Sequence, residues 1–178
     1  QQLAELRAGQ RYAVLRLFLD RDVRAGLPYF VVTDRLRLLD AVTLYHRLEQ
    51  ESAEWVQRQG RGSVIELHSY AVPDDLADEE VKPALIEELL HFFPELTGFT
   101  SLGEVFQLPR DFTAFHRGLF AKRPPSDSGV KGLWFAGDWV KLPFPAMLLE
   151  AAFSSGLVAA NGILGEDGLS LVAIDSVA

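Results

Sequence analysis

Residues 132–164, GLWFAGDWVKLPFPAMLLEAAFSSGLVAANGIL, constrain the fold of this chain more than any other stretch. A short apolar run, residues 133–136, reads as a buried strand that ends at Gly137-Asp138. A tight loop with Pro143 and Pro145 follows, and a helix rich in small residues is predicted over about 146–164. Pro145 is expected in its first turn, where a missing N–H costs nothing. A strand that ends at glycine lets a ligand approach the backbone closely, and the next residue, Asp138, can accept hydrogen bonds from ligand hydroxyls. The following helix offers free N–H groups and partial positive charge to an anionic group in the crevice. Ligands sit at strand ends of this kind in α/β sheets.

The rest of the chain reads as strands separated by two helices. Residues 1–10 are expected to be the end of a helix stopped by Gly9. Alternating or β-branched runs predict strands at 12–19, 29–33, 41–48, 63–72 and 101–108, with Gly26 and Pro28 turning between the first two. A helix is predicted over 49–59, with Ala53, Trp55 and Val56 inward and Gly60 as its stop. A second should be N-capped by Asp78 and carry Val81, Leu85, Leu89 and Phe92 at helical spacing. Residues 112–128 read as loop. Strict β-α-β alternation is lacking, so the expected class is α+β: a mixed sheet with helices on one face, plus the C-terminal strand–loop–helix. The expected division is a sheet region over 1–128, the strand–loop–helix over 129–165 and a tail over 166–178.

Composition narrows the chemistry. A net charge of −8 with dispersed arginines argues against a nucleic-acid partner. The chain has no cysteine, which removes disulfides, thiol nucleophiles and cysteine-based metal sites. Its four histidines, His46, His68, His91 and His116, form no closely spaced ligand pair. The acidic run Asp74, Asp75, Asp78, Glu79 and Glu80 reads as a solvated helix start. No uninterrupted apolar run reaches the ~20 residues that span a bilayer. The expectation is a cytoplasmic protein, for which peripheral contact with a membrane surface stays open.

The pattern FAGD, a loop, then E-A-A-x-x-S-G-x-x-A-A resembles the C-terminal flavin-binding motif of the flavin-containing amine oxidase and phytoene desaturase superfamily. The resemblance implies an FAD cofactor held in a Rossmann-like domain. Gly137, Asp138 and Trp139 would lie at the cofactor, with Asp138 on a ribityl hydroxyl. Pro145, Ala146 and Met147 would approach the pyrimidine edge of the flavin ring. Glu150, Ser155, Gly156, Ala159 and Ala160 match the helix part, the small ones implying close packing on the dinucleotide-binding sheet. Within the superfamily, YAVLRLFLDR, SVIELHSYAVP and FAGDWVKLPFPAMLLEAA are most similar to bacterial carotenoid ring desaturases of the isorenieratene synthase type. That implies hydride transfer from an apolar carotenoid or isoprenoid substrate to the flavin.

The superfamily's N-terminal Gly-x-Gly-x-x-Gly element is absent from these residues, so another segment or chain is expected to complete the FAD site. A sheet face left uncovered would favour a homo-oligomer. Bland readings stand beside each assignment. Asp138 alone would be a turn residue, and Trp139, Phe144 and Met147 fit a core as well as a substrate channel. Glu150 fits a helix-dipole role, and Lys141 a solvated one. One of His46 and His68 would face substrate, or both are satisfied strand histidines. Arg110 and His116, in the stretch before the flavin motif, could line a channel. The catalytic base stays unassigned. The alternatives are an amine or protoporphyrinogen oxidase of the same superfamily and a non-catalytic, partner-binding module.

Overall fold

A computed structural model describes residues 6–111, 113–114 and 116–175. It divides into two compact units, Gln10–Arg110 on one side, and Gln1–Gly9 with Asp111–Ala178 on the other. Residues 111–128 therefore belong with the flavin-like motif, and the expected division at 128 falls inside a unit.

The Gln10–Arg110 unit is a five-stranded sheet of β1 (Arg11–Leu19), β2 (Phe30–Val32), β3 (Ala41–Leu44), β4 (Ser63–Val72) and β5 (Ser101–Gln107), in the order β2-β3-β4-β1-β5. Every pairing is antiparallel, so the expected mixed sheet is corrected. Strands whose solvent-side positions are polar favour this arrangement, because an antiparallel sheet needs cover on one face only. Alternation in β1 sends Leu15, Leu17 and Leu19 to one face, where each is fully buried with Ile65 and Leu67 of β4. Helix α2 (Asp78–Phe92) closes that core with Val81, Leu85 and Leu89. Helix α1 (Gln50–Gln59) lies on the other face, where Trp55 meets Phe18 edge-on at 5.1 Å. The helices thus cover opposite faces rather than one. Trp55 and its neighbours Ala53 and Val56 are half-buried.

Local chemistry explains several boundaries. β3 stops at Leu44, and residues 45–47 form a 3-10 turn instead of continuing the strand. Asp78 is the first residue of α2, not its cap. The cap is Ala77, and Glu80 reaches back to its N–H at 3.4 Å. Asp78 and Asp74 instead form ion pairs with Arg11 and Arg110. Glu88, buried on α2, accepts hydrogen bonds from the backbone N–H groups of Arg37, Leu38 and Leu39 at 3.2, 2.6 and 3.2 Å. One carboxylate thereby satisfies three donors that no strand reaches. His46 is similarly occupied, between Val64 O at 3.1 Å and Asp22 at 3.0 Å.

In the other unit, residues 6–9 are not helical, nor is Gln10 beyond them, and Ala8 bridges to Thr113. The remainder of the expected first helix, residues 1–5, lies outside the described residues, as do Phe112, Phe115 and residues 176–178. The expected strand at 133–136 is a single bridge, Trp134 to Asp127, because residues 126–127 are its sole pairing partner among the described residues. Residues 119–122 form a 3-10 turn within the expected loop. Helix α3 runs from Leu148 to Glu166, and Met147 caps it in an extended conformation. Pro145 therefore precedes the helix. By length and composition α3 could cross a membrane, despite Glu150 and its serines interrupting the apolar run. Beyond it, Asn161 pairs with both backbone groups of Val172 at 2.7 Å, which ties down part of the tail.

Gly62 enters β4 at φ +118°, and a Cβ there would lie 2.2 Å from the carbonyl oxygen of Leu19. Gly62→Ala should therefore destabilise the protein by at least about 1–2 kcal/mol, read as a lower urea midpoint with unchanged slope. An unchanged midpoint would show that the connection from α1 to β4 relaxes freely.

Candidate functional site

The Gly137-Asp138 turn is fastened from three sides. Ser155 of α3 is fully buried, and its hydroxyl accepts a hydrogen bond from Gly137 N–H at 2.7 Å. The same hydroxyl has Gly137 O at 3.0 Å and Ala152 O at 2.9 Å, between which it shares its one proton. Gly137 sits at φ +132°, and a Cβ on it would lie 2.4 Å from the Trp139 indole nitrogen. The position thus requires glycine both for its backbone and for the indole laid against it.

Asp138 is half-buried, and Thr113 donates to its Oδ1 at 2.6 Å. That bond orients the carboxylate, and among the described residues no hydrogen bond reaches its Oδ2. Buried Arg123 donates to the Asp138 backbone carbonyl at 2.9 Å and to Ala114 O at 3.4 Å. Lys141 N–H bonds Pro124 O at 2.8 Å, and Phe135 N–H bonds Ser126 O at 2.8 Å. These bonds lace residues 124–126 to the segment holding Asp138.

Beside the turn lies a cavity of about 570 Å³ lined by Ala114, His116, Phe120, Arg123 and residues 141–147. Pro145, Ala146 and Met147 therefore line a common space. Gly137, Asp138 and Trp139 are not among its lining residues; Arg123 links the two by lining the cavity while holding Asp138. Phe144 lines it and Met147 is exposed, so neither is core, whereas half-buried Trp139 packs on Phe135 with ring centroids 5.3 Å apart. Lys141 is exposed, with its ammonium 5.6 Å from the Phe120 ring. Glu150 is exposed in the first turn of α3. Leu148, the first residue of α3, has φ +51°, which for a non-glycine stores about 1–3 kcal/mol of strain at the cavity mouth.

Sequence reasoning missed Thr113, Arg123 and Gly162. Nothing marks an isolated threonine or arginine as partners of a residue 25 or 15 positions away. The close-approach glycine of α3 is Gly162, where a Cβ would lie 2.2 Å from the Trp134 ring, whereas one at Gly156 would meet nothing within 4 Å. Arg110 is engaged with Asp74.

The similarity to known proteins is specific. Residues 36–164 match the family described as flavin containing amine oxidoreductase. A carotenoid phi-ring synthase of Chlorobaculum tepidum is 37% identical over 171 residues, 94% of this chain and 26% of that protein. One from Streptomyces griseus is 35% identical over 167 residues, 94% of this chain and 32% of that protein. The chain thus spans about a quarter to a third of the length of these relatives. In fold, it resembles an oxidoreductase from Methanosarcina mazei with a TM-score of 0.55 and 17% identity, over 85% of this chain and 33% of that one.

Removing the Ser155 hydroxyl strands the Gly137 N–H against the buried side of α3. Ser155→Ala should cost about 1–3 kcal/mol in denaturant unfolding. A cost near zero would mean water replaces the hydroxyl and the turn is not fastened by it.

Proposed function

The chain belongs to the flavin containing amine oxidoreductase family, and on that premise we propose that it works within a longer FAD-dependent oxidoreductase acting on an apolar carotenoid or related isoprenoid. The observation that carries this reading is the fastened Gly137-Asp138 turn beside the cavity. Its residues fit a flavin: a glycine that admits only backbone, a pre-oriented carboxylate and a long helix starting at the cavity mouth.

When bound, FAD supplies the hydride acceptor. Asp138 would hold a cofactor hydroxyl through its carboxylate, whose orientation Thr113 fixes. Arg123 fixes the Asp138 backbone and lines the cavity wall. The first N–H groups of α3 would favour negative charge on a cofactor held beside Ala146 and Met147. Phe120, Leu142, Pro143 and Phe144 give the cavity an apolar wall that excludes water. The Gln10–Arg110 unit supplies the substrate layer. A carotenoid substrate partitions into bilayers, so a peripheral place at a membrane surface belongs to the same proposal.

The test is a titration of FAD into the full-length protein that carries this chain, followed by desalting and a visible spectrum. Flavin should remain bound, and Asp138→Ala should weaken it about 10–100-fold, the worth of a hydrogen bond to a charged group. A full-length protein that holds no flavin would sink the reading.

A further inference from the structure

The two edges of the five-stranded sheet are unlike. β2 is three residues long and follows the turn at Gly26 and Pro28. β5 is seven residues long and contains neither proline nor lysine. Its one charged residue, Glu104, is engaged by Lys82 of α2 at 2.6 Å. The one irregularity in its pairing with β1 lies at its first residues, beside Leu19. No residue of β5 is fully buried, and Leu102 and Val105 are 49% and 51% exposed. Short strands, prolines and unpaired charges are the devices that stop a sheet edge from adding another strand, and β5 lacks all three.

The phase of the β1–β5 ladder shows which backbone groups lie on that edge. Tyr12 N–H bonds Pro109 O at 3.2 Å, and the same register sets Val14 opposite Gln107 and Arg16 opposite Val105. Bonded and unbonded pairs alternate in an antiparallel ladder, so Val105 and Gln107 bond β1 while Glu104 and Phe106 turn their N–H and C=O groups outward. Among the described residues no strand lies beyond β5 to receive them. Apolar side chains flank this row on both faces. Phe106 packs half-buried against the core. On the opposite face Val105, with Val14, Arg16, Glu66 and Gln107, lines a pocket of about 250 Å³. That face carries a polar constellation in which buried Glu66 accepts from Arg16 Nε at 2.7 Å and lies 3.3 Å from His68 Nε2.

We propose that the outer edge of β5 pairs with a further strand of the longer polypeptide to which this chain belongs, one with apolar residues on both faces, beside Val105 and Phe106. This chain spans about a quarter to a third of the length of its relatives, so most of such a polypeptide lies outside these residues. A tethered strand acts at a roughly millimolar effective concentration, which a separate molecule does not reach. A second copy is the poorer occupant. Two-fold pairing about the middle of β5 sets Glu104 against Glu104, and like charges directly opposite destabilise a sheet. The net charge of −8 adds to that repulsion. The added strand covers Phe106 and walls the pocket on its Val105 side. Only the chain's place in a longer protein is carried over from the functional reading, so this pairing stands or falls apart from the flavin.

The experiment is hydrogen exchange read at single amides of the full-length protein. Glu104 and Phe106 should exchange at least about 100-fold slower than in an unstructured peptide, and within about tenfold of Val105 and Gln107. Glu104→Pro removes an outward donor and leaves the bonds to β1 in place, so it should speed exchange at Phe106 about tenfold or more. Glu104→Gln, which keeps the N–H and loses the charge, should leave Phe106 unchanged. Exchange of both amides at the unprotected rate overturns the proposal, because the edge is then open to water. Protection that fades on dilution overturns it as well, since a second copy is then the occupant. So does protection of Phe106 that survives Glu104→Pro, since the cover is then not a paired strand.

Discussion

The antiparallel register of β1 against β4 decides which side chains can meet in the Gln10–Arg110 unit. Arg16 stands opposite Glu66, and Leu15 and Leu17 stand opposite Leu67 and Ile65. A slip of one residue would exchange the two faces, placing Arg16 and Glu66 in the apolar core and the leucines toward solvent. The core and the polar constellation therefore enforce the same register from opposite sides. β5 extends it, setting Val105 opposite Arg16 and Gln107 opposite Val14, so the pocket is formed by the pairing that adds β5 to the sheet.

In the Asp111–Ala178 unit the corresponding constraint is the contact of Ser155 with Gly137. It joins a turn with little regular structure to a long helix, using one hydroxyl to satisfy backbone groups that have no strand partner. Once that contact exists, Asp138 has a fixed backbone, and Thr113 and Arg123 need only trim its orientation. The helix in turn acquires a buried seam through Ala151, Ser154, Ser155 and Ala159, while Leu149 and Phe153 remain exposed.

Sequence reveals these features where a local rule governs them. β1 and β4 are legible because alternation and β-branching agree over nine and ten residues. Gly60 ends α1 in the left-handed conformation that its position requires. Legibility fails where a distant partner decides. The start of α3 moves from 146 to 148 because Met147 stays extended and Leu148 takes a positive φ, which residue preference does not foretell. Arg123 is an ordinary surface-type residue until the fold buries it against Asp138 and Ala114. His46 and His68 look alike in sequence, yet one is consumed by Asp22 and Val64 and the other faces Glu66. The family motif identifies the turn and the helix because it encodes this combination, and it says nothing of the opposite sheet face.

The burial of Glu66 bears on why that face is polar at all. Burial works against the charge on Arg16, and the hydrogen bond and charge of Glu66 outweigh it, so its pKa is raised. Both partners still give up hydration to form the pair, and a buried ion pair is commonly no more stable than apolar residues of the same volume. On this sheet the apolar substitute would be simple, since Val14 and Val105 already flank the site and α1 already packs on Phe18 at its end. Stability alone therefore gives no reason for a buried carboxylate in contact with a histidine and open to a pocket. A desolvated carboxylate held by Arg16 and in contact with His68 is a costly brace, so the polarity of this face answers to something other than stability.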